Sequence, residues 1–237
     1  MSLRGLLVVG TDTGVGKTHI ASAIARHLVN EGHRVGVLKP LATGPSRGGD
    51  AELLIEAIGG GVPLERVAPI TFDEPLAPAV AARRAGLALG RAEVLNAVAD
   101  ALAWWRERAE VMVAEGVGGL LCPLAEGMTV ADLAIALDYP LVVVARRGLG
   151  TLNHTLLTVE AALGRGLRIA GVVLNGAEPT ADALAEETNP GALAEFLPGV
   201  AVLAERPHGG DPSALGVIDW WGLASHPRGV GAEADGR

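Results

Sequence analysis

The stretch from Gly10 to Thr18 constrains the fold of this chain more than any other; it reads Gly-Thr-Asp-Thr-Gly-Val-Gly-Lys-Thr. It follows an apolar run, Leu6–Val9, and opens a segment in which apolar residues recur at helical spacing. A buried strand that leads through a glycine-rich turn into a helix is the context of a phosphate-binding loop. Glycines let the backbone curl around an anion, and the helix N-terminus offers unpaired N–H groups. We therefore predict a P-loop for a nucleoside triphosphate.

Within this loop, Lys17 supplies a mobile cation, and Thr18 can place its hydroxyl group on a phosphate-bound metal ion. The usual P-loop has four residues between its glycine and the Gly-Lys-Thr, whereas five separate Gly10 from Gly16, with Thr11 in place of the first glycine. A glycine turn that binds nothing is the alternative interpretation, and the strand–loop–helix context disfavours it. The predicted nucleotide-binding residues are Asp12, Thr13, Gly14, Val15, Gly16, Lys17 and Thr18.

The length, net charge and cysteine and histidine content of the chain exclude several classes of protein. The chain has 237 residues and no linker-like break, so we expect one domain over residues 1–225 and a flexible polar tail over residues 226–237. A net charge of −8 without a long basic cluster argues against nucleic acid as a partner. The single cysteine excludes an internal disulfide, and the histidines lack the spacing of a zinc site.

Apolar runs in this chain are too short to span a bilayer, and no secretory leader precedes the first strand. We therefore expect a cytoplasmic protein without a membrane partner. Six apolar runs read as buried strands, and helical segments separate them. This alternation predicts an α/β fold: a single-domain, mostly parallel sheet flanked by helices on both faces, like that of P-loop NTPases. The predicted strands are Leu6–Val9, Val35–Leu38, Val111–Ala114, Leu141–Ala145, Ile169–Leu174 and Val200–Leu203.

The helical segments are less sharply bounded than the strands. We expect helices from about Ala79, over Arg91–Arg108 and Val130–Leu137, after Gly150, near Pro190–Leu197 and over Ser213–Leu223. The Trp104-Trp105 and Trp220-Trp221 pairs are predicted to pack rather than to bind a ligand.

Three polar residues lie at the ends of predicted strands. Lys39 follows the second strand, at the sheet edge where ligands gather in open parallel sheets. Glu115 resembles the acidic residue with which P-loop enzymes hold magnesium at the end of a neighbouring strand. Asn175 could read a base edge through its amide group. The alternatives are a solvated lysine, a carboxylate that merely ends a strand, and an Asn-Gly turn.

Two helix starts are also candidate sites. Asp50 follows a Gly/Pro/Ser loop and is either the N-cap of the next helix or a metal ligand. The segment Gly150–Asn153 opens another helix and forms a second anion-receptive site, with Thr151 or Asn153 as its cap. Cys122 has no candidate base beside it in sequence and is predicted to pack inertly.

Taken together, these motifs resemble the dethiobiotin synthetase family. The likeness covers about three quarters of the chain, and the five-residue interval in the P-loop is itself a family feature. It rests on Gly10–Thr18, Lys39-Pro40 with Thr43-Gly44, Glu115-Gly116-Val117-Gly118-Gly119, Gly150–His154 and Asn175.

The resemblance implies a reaction in which 7,8-diaminononanoate, CO2 and ATP with Mg2+ give dethiobiotin, ADP and phosphate, the penultimate step of biotin biosynthesis. One amine would form a carbamate, the γ-phosphoryl group would activate it as a carbamic-phosphoric anhydride, and the second amine would close the ring. No protein nucleophile is required, which agrees with the lack of a triad-like motif in the sequence.

The resemblance also implies roles for individual residues. Lys17 and Lys39 would neutralise the γ-phosphate and the carbamate, with Thr11 beside them, and Mg2+ would be held by Thr18, Asp50 and Glu115. Asn175, with Pro207, would face adenine. A homodimer is implied, because the helix start of a partner subunit would bind the distal carboxylate of the diamine. The implied substrate-binding residues are Thr43, Val117, Gly118, Gly150, Thr151, Leu152 and Asn153.

The sequence departs from the pattern of this family at two places, and two other families share some of its motifs. Gly14 stands where some relatives carry an acidic residue, and beyond Leu203 the likeness is loose. Amide synthases of corrinoid assembly share a similar P-loop, but they normally continue into a glutamine-hydrolysing domain, and we expect this chain to be too short for one. Partitioning ATPases carry a signature lysine five residues before the P-loop lysine, where this chain has Asp12.

Overall fold

A computed structural model describes residues 3–44, 49–177, 179, 182–210 and 212–224. The tail predicted over residues 226–237 lies outside the described residues. The strands are β1 (Arg4–Gly10), β2 (Val35–Leu38), β3 (Leu41–Thr43), β4 (Ile70–Phe72), β5 (Val111–Gly119), β6 (Pro123–Ala125), β7 (Met128–Thr129), β8 (Leu141–Arg146), β9 (Ile169–Asn175) and β10 (Val202–Arg206). The helices are α1 (Lys17–Asn30), α2 (Asp50–Ala57), α3 (Leu64–Val67), α4 (Pro78–Arg84), α5 (Arg91–Trp105), α6 (Val130–Leu137), α7 (Thr151–Leu163), α8 (Ala183–Phe196) and α9 (Trp220–Leu223), with a 3₁₀ turn at Pro212–Leu215.

All six predicted strands pair in one parallel sheet, in the order β10-β9-β8-β1-β5-β2. Residues of β1, β5, β8 and β9 are buried almost without interruption, because helices cover both faces of the sheet. The predicted fold class is thus confirmed.

Helices lie on both faces because the chain winds in two directions from β1. The connection through α1 leads from β1 towards β2, whereas the connection through α7 leads from β8 towards β9, at the opposite end of the sheet. Right-handed crossovers therefore set α1 and α7 on opposite faces. Accordingly, α1 packs on α2 and α9, and α7 packs on α8.

The carboxyl ends of the parallel strands meet at one edge of the sheet and carry the P-loop and the polar residues that follow β2 and β9. Two small pairs outside the main sheet were not predicted: β3 pairs with β4 in parallel, and β6 pairs with β7 antiparallel. Strands of two or three residues carry too little periodicity to be recognised in sequence.

Two helices near the C-terminus differ from the prediction. Helix α8 begins at Ala183 and runs through Pro190, although we expected a helix to begin at that proline. Buried Asn189 donates to the carbonyl oxygen of Arg147 at 2.7 Å, and Leu193 is fully buried, so tertiary packing holds the segment helical across Pro190. The helix expected over Ser213–Leu223 is instead a 3₁₀ turn followed by the short helix α9.

Both predicted side-chain caps are wrong. Asp50 is the first residue of α2 rather than its cap, because Gly49 occupies the cap position with an extended backbone. At α7 the cap position belongs to Gly150, whose φ of 87° is left-handed and suits glycine. The hydroxyl group of Thr151 donates to the carbonyl oxygen of Arg146 at 2.6 Å.

The tryptophan pairs pack as expected. Trp105 and Trp220 are buried, and their indole N–H groups donate to the carbonyl oxygens of Arg66 at 3.1 Å and Leu215 at 2.8 Å. Trp221 stacks on the ring of His33, with a centroid separation of 3.9 Å. Within the described ranges, no helix combines the length and apolar character that a membrane crossing requires.

Candidate active site

The P-loop connects β1 to α1 at the centre of the sheet. Gly14 and Gly16 have φ values of 75° and 87°, which glycine adopts without strain. Val15 is fully buried, so it anchors the loop in the core. The N–H group of Thr11 donates to the carbonyl oxygen of Val144 in β8 at 3.0 Å, which fixes the beginning of the loop.

Lys17 lies almost buried beneath this loop. Its Nζ atom donates to the carbonyl oxygen of Asp12 at 2.9 Å, so the side chain folds back against the loop. Burial, followed by the positive charge of Lys39, lowers the pKa of Lys17 below the ordinary lysine value. Glu115, Asp50 and Asp12 oppose this lowering only in part, and a phosphate group in the loop would add negative charge beside the ammonium group.

Next to the P-loop, four side chains from separate elements form a cluster, defined here as Thr18, Lys39, Asp50 and Glu115. The Nζ atom of Lys39 lies 2.6 Å from Oε1 of Glu115 and 2.7 Å from Oδ2 of Asp50. The hydroxyl group of Thr18 donates to the same Oε1 atom at 2.9 Å. Lys39 also donates to the carbonyl oxygen of Gly116 at 3.2 Å. The cluster thus joins one cation to two carboxylates and a hydroxyl group.

Burial excludes the simpler interpretations of two cluster residues. Lys39 and Glu115 are each only 1% exposed, so Lys39 is not a solvated lysine. Glu115 does not merely end a strand, because it lies within β5 and pairs with Val8 of β1. A buried charge is tolerated only where a partner compensates it, and each of these residues compensates the other.

The pKa directions follow from burial and from the partners. Burial alone would lower the pKa of Lys39, but Glu115 and Asp50 outweigh it and raise that pKa. Burial raises the pKa of Glu115 despite the opposing charge of Lys39, and the nearby Asp50 adds to this rise. Burial would also raise the pKa of half-exposed Asp50, but Lys39 outweighs it and lowers that pKa. Lys39 is therefore held as a cation.

A cleft of about 520 Å³ opens above the cluster. It brings together predicted residues from the P-loop, from β3 and from β5. Those lining the cleft are Thr13, Gly14, Gly16, Lys17, Thr18, Lys39, Thr43, Asp50, Glu115, Val117 and Gly118.

A second cavity of about 370 Å³ lies on the other side of the P-loop, between β8, β9 and α8. Thr13 and Gly14 border it together with Arg146 and Asn175. Asn175 ends β9 rather than forming a turn; its amide donates to the carbonyl oxygen of Val15 at 2.8 Å and accepts from Arg206 at 3.1 Å. Its amide group therefore ties β9 and β10 to the P-loop.

Other predicted residues lie outside both cavities. Thr11 borders a shallow groove with His154 and Leu157 of α7. At the start of α7, Thr151 is buried and Asn153 is exposed. Leu152, which follows Thr151, is partly buried, and Pro207, directly after β10, is exposed.

Comparisons with known proteins agree with this geometry. A family model described as an AAA domain matches residues 4–211. The ATP-dependent dethiobiotin synthetase BioD of Anaeromyxobacter dehalogenans (strain 2CP-C) is 53% identical over 182 residues, which cover 76% of this chain and 80% of that protein. The protein of the same name from Bacillus subtilis (strain 168) is 40% identical over 211 residues, which cover 86% of this chain and 87% of that one.

The chain belongs to the ATP-dependent dethiobiotin synthetase family. The family predicted from the sequence is thereby confirmed, and so is the prediction that the chain is an enzyme, an ATP-dependent ligase.

Two solved structures resemble the fold at low sequence identity. Cell division protein FtsY from Thermotoga maritima has a TM-score of 0.50 and 19% identity, and the match covers 90% of this chain and 67% of that one. A DUF1611 family protein from Anabaena variabilis has a TM-score of 0.51 and 19% identity, with 91% and 57% covered. This likeness concerns the fold alone.

Sequence reasoning missed several residues of the cleft. Pro75, Leu76 and Ala77, which lie between β4 and α4, line the cleft. Cys122, expected to pack inertly, also lines it, and burial raises the pKa of its thiol. No local pattern reveals such positions, because chain segments distant in sequence bring them to the cleft.

Proposed function

We propose that this chain, as a dethiobiotin synthetase, closes the ureido ring of dethiobiotin from 7,8-diaminononanoate and CO2 at the expense of ATP. The observation that carries the proposal is the cluster of Thr18, Lys39, Asp50 and Glu115 at the edge of a P-loop, in which Lys39 and Glu115 are buried. This arrangement suits a reaction in which negative charge moves between a phosphoryl group and a carboxylated amine.

The proposed steps balance without a protein nucleophile. One amine of the substrate adds to CO2 and loses a proton, which gives a carbamate. An oxygen of this carbamate attacks the γ-phosphorus of ATP, so ADP leaves and a carbamic-phosphoric anhydride forms. The second amine then attacks the carbonyl carbon and loses a proton, the C–O bond to phosphate breaks, inorganic phosphate leaves, and the ring closes.

Catalysis in this scheme is positioning and charge neutralisation. Lys17 would neutralise the γ-phosphate and Lys39 the carbamate; the raised pKa of Lys39 supports a permanent cation in that role. Thr11, Thr43 and the Val117-Gly118 backbone would border the diamine, with Asp12 to Thr18 around the phosphates. Asn175 and Pro207 would face adenine.

The cluster also fits a magnesium ion. Thr18, Asp50 and Glu115 offer the hard oxygen ligands that Mg2+ prefers, and Oε2 of Glu115 is buried without a hydrogen-bond partner in the described part of the chain. Among the described residues there is no group of three or more His, Cys, Asp or Glu side chains that could hold a metal ion alone, so phosphate oxygens would complete the set. When bound, the ion would neutralise charge on the triphosphate.

As part of the same proposal, the protein acts as a homodimer in the cytoplasm. The start of α7, Gly150 to Asn153, would bind the distal carboxylate of the diamine in the site of the partner subunit, since a helix N-terminus attracts anions. Leu157 of α7 and Leu121 border the shallow groove beside Thr11, and both are about half exposed, which supports burial of this face in a dimer.

Phosphate release by the purified protein tests the proposed reaction. We expect release only when ATP, Mg2+, the diamine and bicarbonate are all present, together with incorporation of labelled bicarbonate into the product. The control is the same protein with a monoamine analogue, which can form the carbamate but cannot close a ring, so labelled bicarbonate should not appear in a stable product. Equal ATP turnover without the diamine would disprove the proposal.

A further inference from the structure

Arg146, the last residue of β8, contacts the P-loop through Asp12. Its guanidinium group lies 2.6 Å from Oδ2 of Asp12, and the other carboxylate oxygen accepts the N–H group of Thr13 at 2.7 Å. The carbonyl oxygen of Asp12 accepts the bond from Lys17 at 2.9 Å. Asp12 therefore joins Arg146 to the backbone of the loop and to the lysine beneath it.

The backbone of Arg146 makes a second connection. Its carbonyl oxygen accepts the hydroxyl group of Thr151, the first residue of α7, at 2.6 Å. Arg146 thus contacts the nucleotide loop through its side chain and the start of α7 through its main chain. An uninterrupted series of hydrogen bonds runs from Lys17 through Asp12 and Arg146 to Thr151.

The charge of Asp12 makes this pairing important. A carboxylate within a loop that receives a triphosphate repels the ligand unless a cation neutralises it. Lys17 bonds to the backbone of Asp12 and not to its carboxylate, so Arg146 is the cation paired with that group in the described part of the chain. The side chains of Asp12 and Arg146 are both about half exposed, so solvent weakens their attraction without removing it.

We propose that Arg146 is a positioning residue: its side chain neutralises Asp12 and holds the P-loop in its nucleotide-receiving conformation, while its main-chain carbonyl oxygen fixes the start of α7. The part of this inference that concerns α7 rests on the proposed function, in which that helix start binds the diamine. The part that concerns the P-loop requires only that the loop binds a nucleotide.

Affinity for a non-hydrolysable ATP analogue with Mg2+, measured by calorimetry without the diamine, tests the inference. We expect Arg146→Met to weaken binding about fivefold, the scale of an exposed ion pair, and Arg146→Lys to weaken it less. Asp12→Asn keeps an oxygen for the Thr13 N–H group but removes the charge. The double variant, Asp12→Asn with Arg146→Met, should therefore bind better than Arg146→Met alone.

Arg34→Met is the matched control. Arg34 forms an ion pair of similar exposure with Glu110 at 3.2 Å, at the opposite edge of the sheet, so its loss should leave nucleotide affinity unchanged. If Arg146→Met binds like the wild type, or if Asp12→Asn does not relieve its defect, the inference is overturned. Circular dichroism checks that each variant is folded. If Arg146→Met does not fold, the affinity of Arg146→Lys is compared with that of the wild type instead.

Steady-state kinetics extend the test to the diamine. We expect Arg146→Met to raise the KM for ATP more than it lowers kcat, whereas a general loss of structure would lower kcat as well. The KM for the diamine should change little, because the variant keeps the main-chain carbonyl oxygen that Thr151 contacts. The two proposals can fail separately. If the variants change affinity for the ATP analogue as expected but the wild type shows no diamine-dependent phosphate release, the proposed reaction is wrong and the role of Arg146 in the P-loop stands.

Discussion

The ammonium group of Lys39 lies 2.6 Å from Oε1 of Glu115, and both side chains are almost completely buried. Glu115 lies in β5, and Lys39 directly follows the neighbouring strand β2; the two residues are 76 positions apart in sequence. The pair holds a cation and a carboxylate below the nucleotide loop, where water screens their charges little. Each residue therefore stabilises the charge of the other and helps to hold it in position.

Replacing Lys39 with methionine should lower both stability and turnover. The change leaves Glu115 and Asp50 without their cation, and removal of one partner of a buried ion pair typically costs about 3–5 kcal/mol. We expect dethiobiotin formation to slow by ~10²-fold or more, because a charge-stabilising group is lost. Chemical denaturation and product assays measure the two effects. The double variant with Glu115→Gln should recover part of the stability but none of the activity; a near-normal rate in Lys39→Met would show that the proposed role is wrong.

Glu115→Gln should slow turnover by ~10²-fold or more as well, because the amide keeps the size of the side chain but removes its charge. We also expect weaker binding of Mn2+, used as a probe for magnesium, when the ATP analogue is present. Electron paramagnetic resonance of free Mn2+ gives this affinity. The exposed Glu126→Gln variant serves as the control and should match the wild type in both measurements. Unchanged Mn2+ affinity in Glu115→Gln would exclude Glu115 from the metal site.

Nucleotide affinity should depend on the protonation of Lys17. Because burial and the charge of Lys39 lower the pKa of Lys17, its ammonium group loses a proton at a lower pH than an ordinary lysine. Affinity for the ATP analogue should therefore be constant at low pH and fall as the pH rises through this lowered pKa. The pKa of Lys39 is raised, so Lys39 stays charged in this range. Calorimetry between about pH 7 and 10 checks this expectation, and Lys17→Met should abolish the dependence.

Gly36→Ala should destabilise the fold. A Cβ atom at this position would collide with the sulfur atom of Met112 and lie 2.9 Å from the ring of Trp105. Such overpacking typically costs about 1–3 kcal/mol. Gly191→Ala is the matched control. Gly191 lies exposed in α8, where an added Cβ atom would meet no atom of the described residues within 4 Å, and alanine should stabilise that helix by about 0.5–1 kcal/mol. Urea denaturation gives both values; equal stabilities would contradict the packing described at Gly36.

Leu157→Lys should disrupt the proposed dimer. This residue is 56% exposed on α7, and a charge there would oppose burial against a second copy. We expect a monomer in sedimentation that still binds the ATP analogue but no longer converts the diamine, because the P-loop lies within one chain. Val217→Lys, 87% exposed just before α9, should leave the association state unchanged. An active monomer of the wild-type protein would contradict a site shared between subunits.

The sequence by itself determined the P-loop, the six strands of the sheet and the places of Lys39 and Glu115 at the carboxyl edge of that sheet. Strand periodicity and the Gly-Lys-Thr motif are local properties, and the carboxyl ends of parallel strands must meet at one edge. The sequence alone therefore predicts that polar residues at the ends of these strands lie close together.

Only the tertiary structure decided how several other residues are used. In the folded chain, Asp50 pairs with Lys39 and does not cap its helix, and Arg146 pairs with Asp12. Helix α8 continues through Pro190. Each outcome depends on contacts between segments far apart in sequence, and these contacts outweigh local propensities that are worth about 1 kcal/mol or, for proline, about 3 kcal/mol. Local patterns therefore predict which elements form, whereas long-range packing and charge pairing decide which side chains meet.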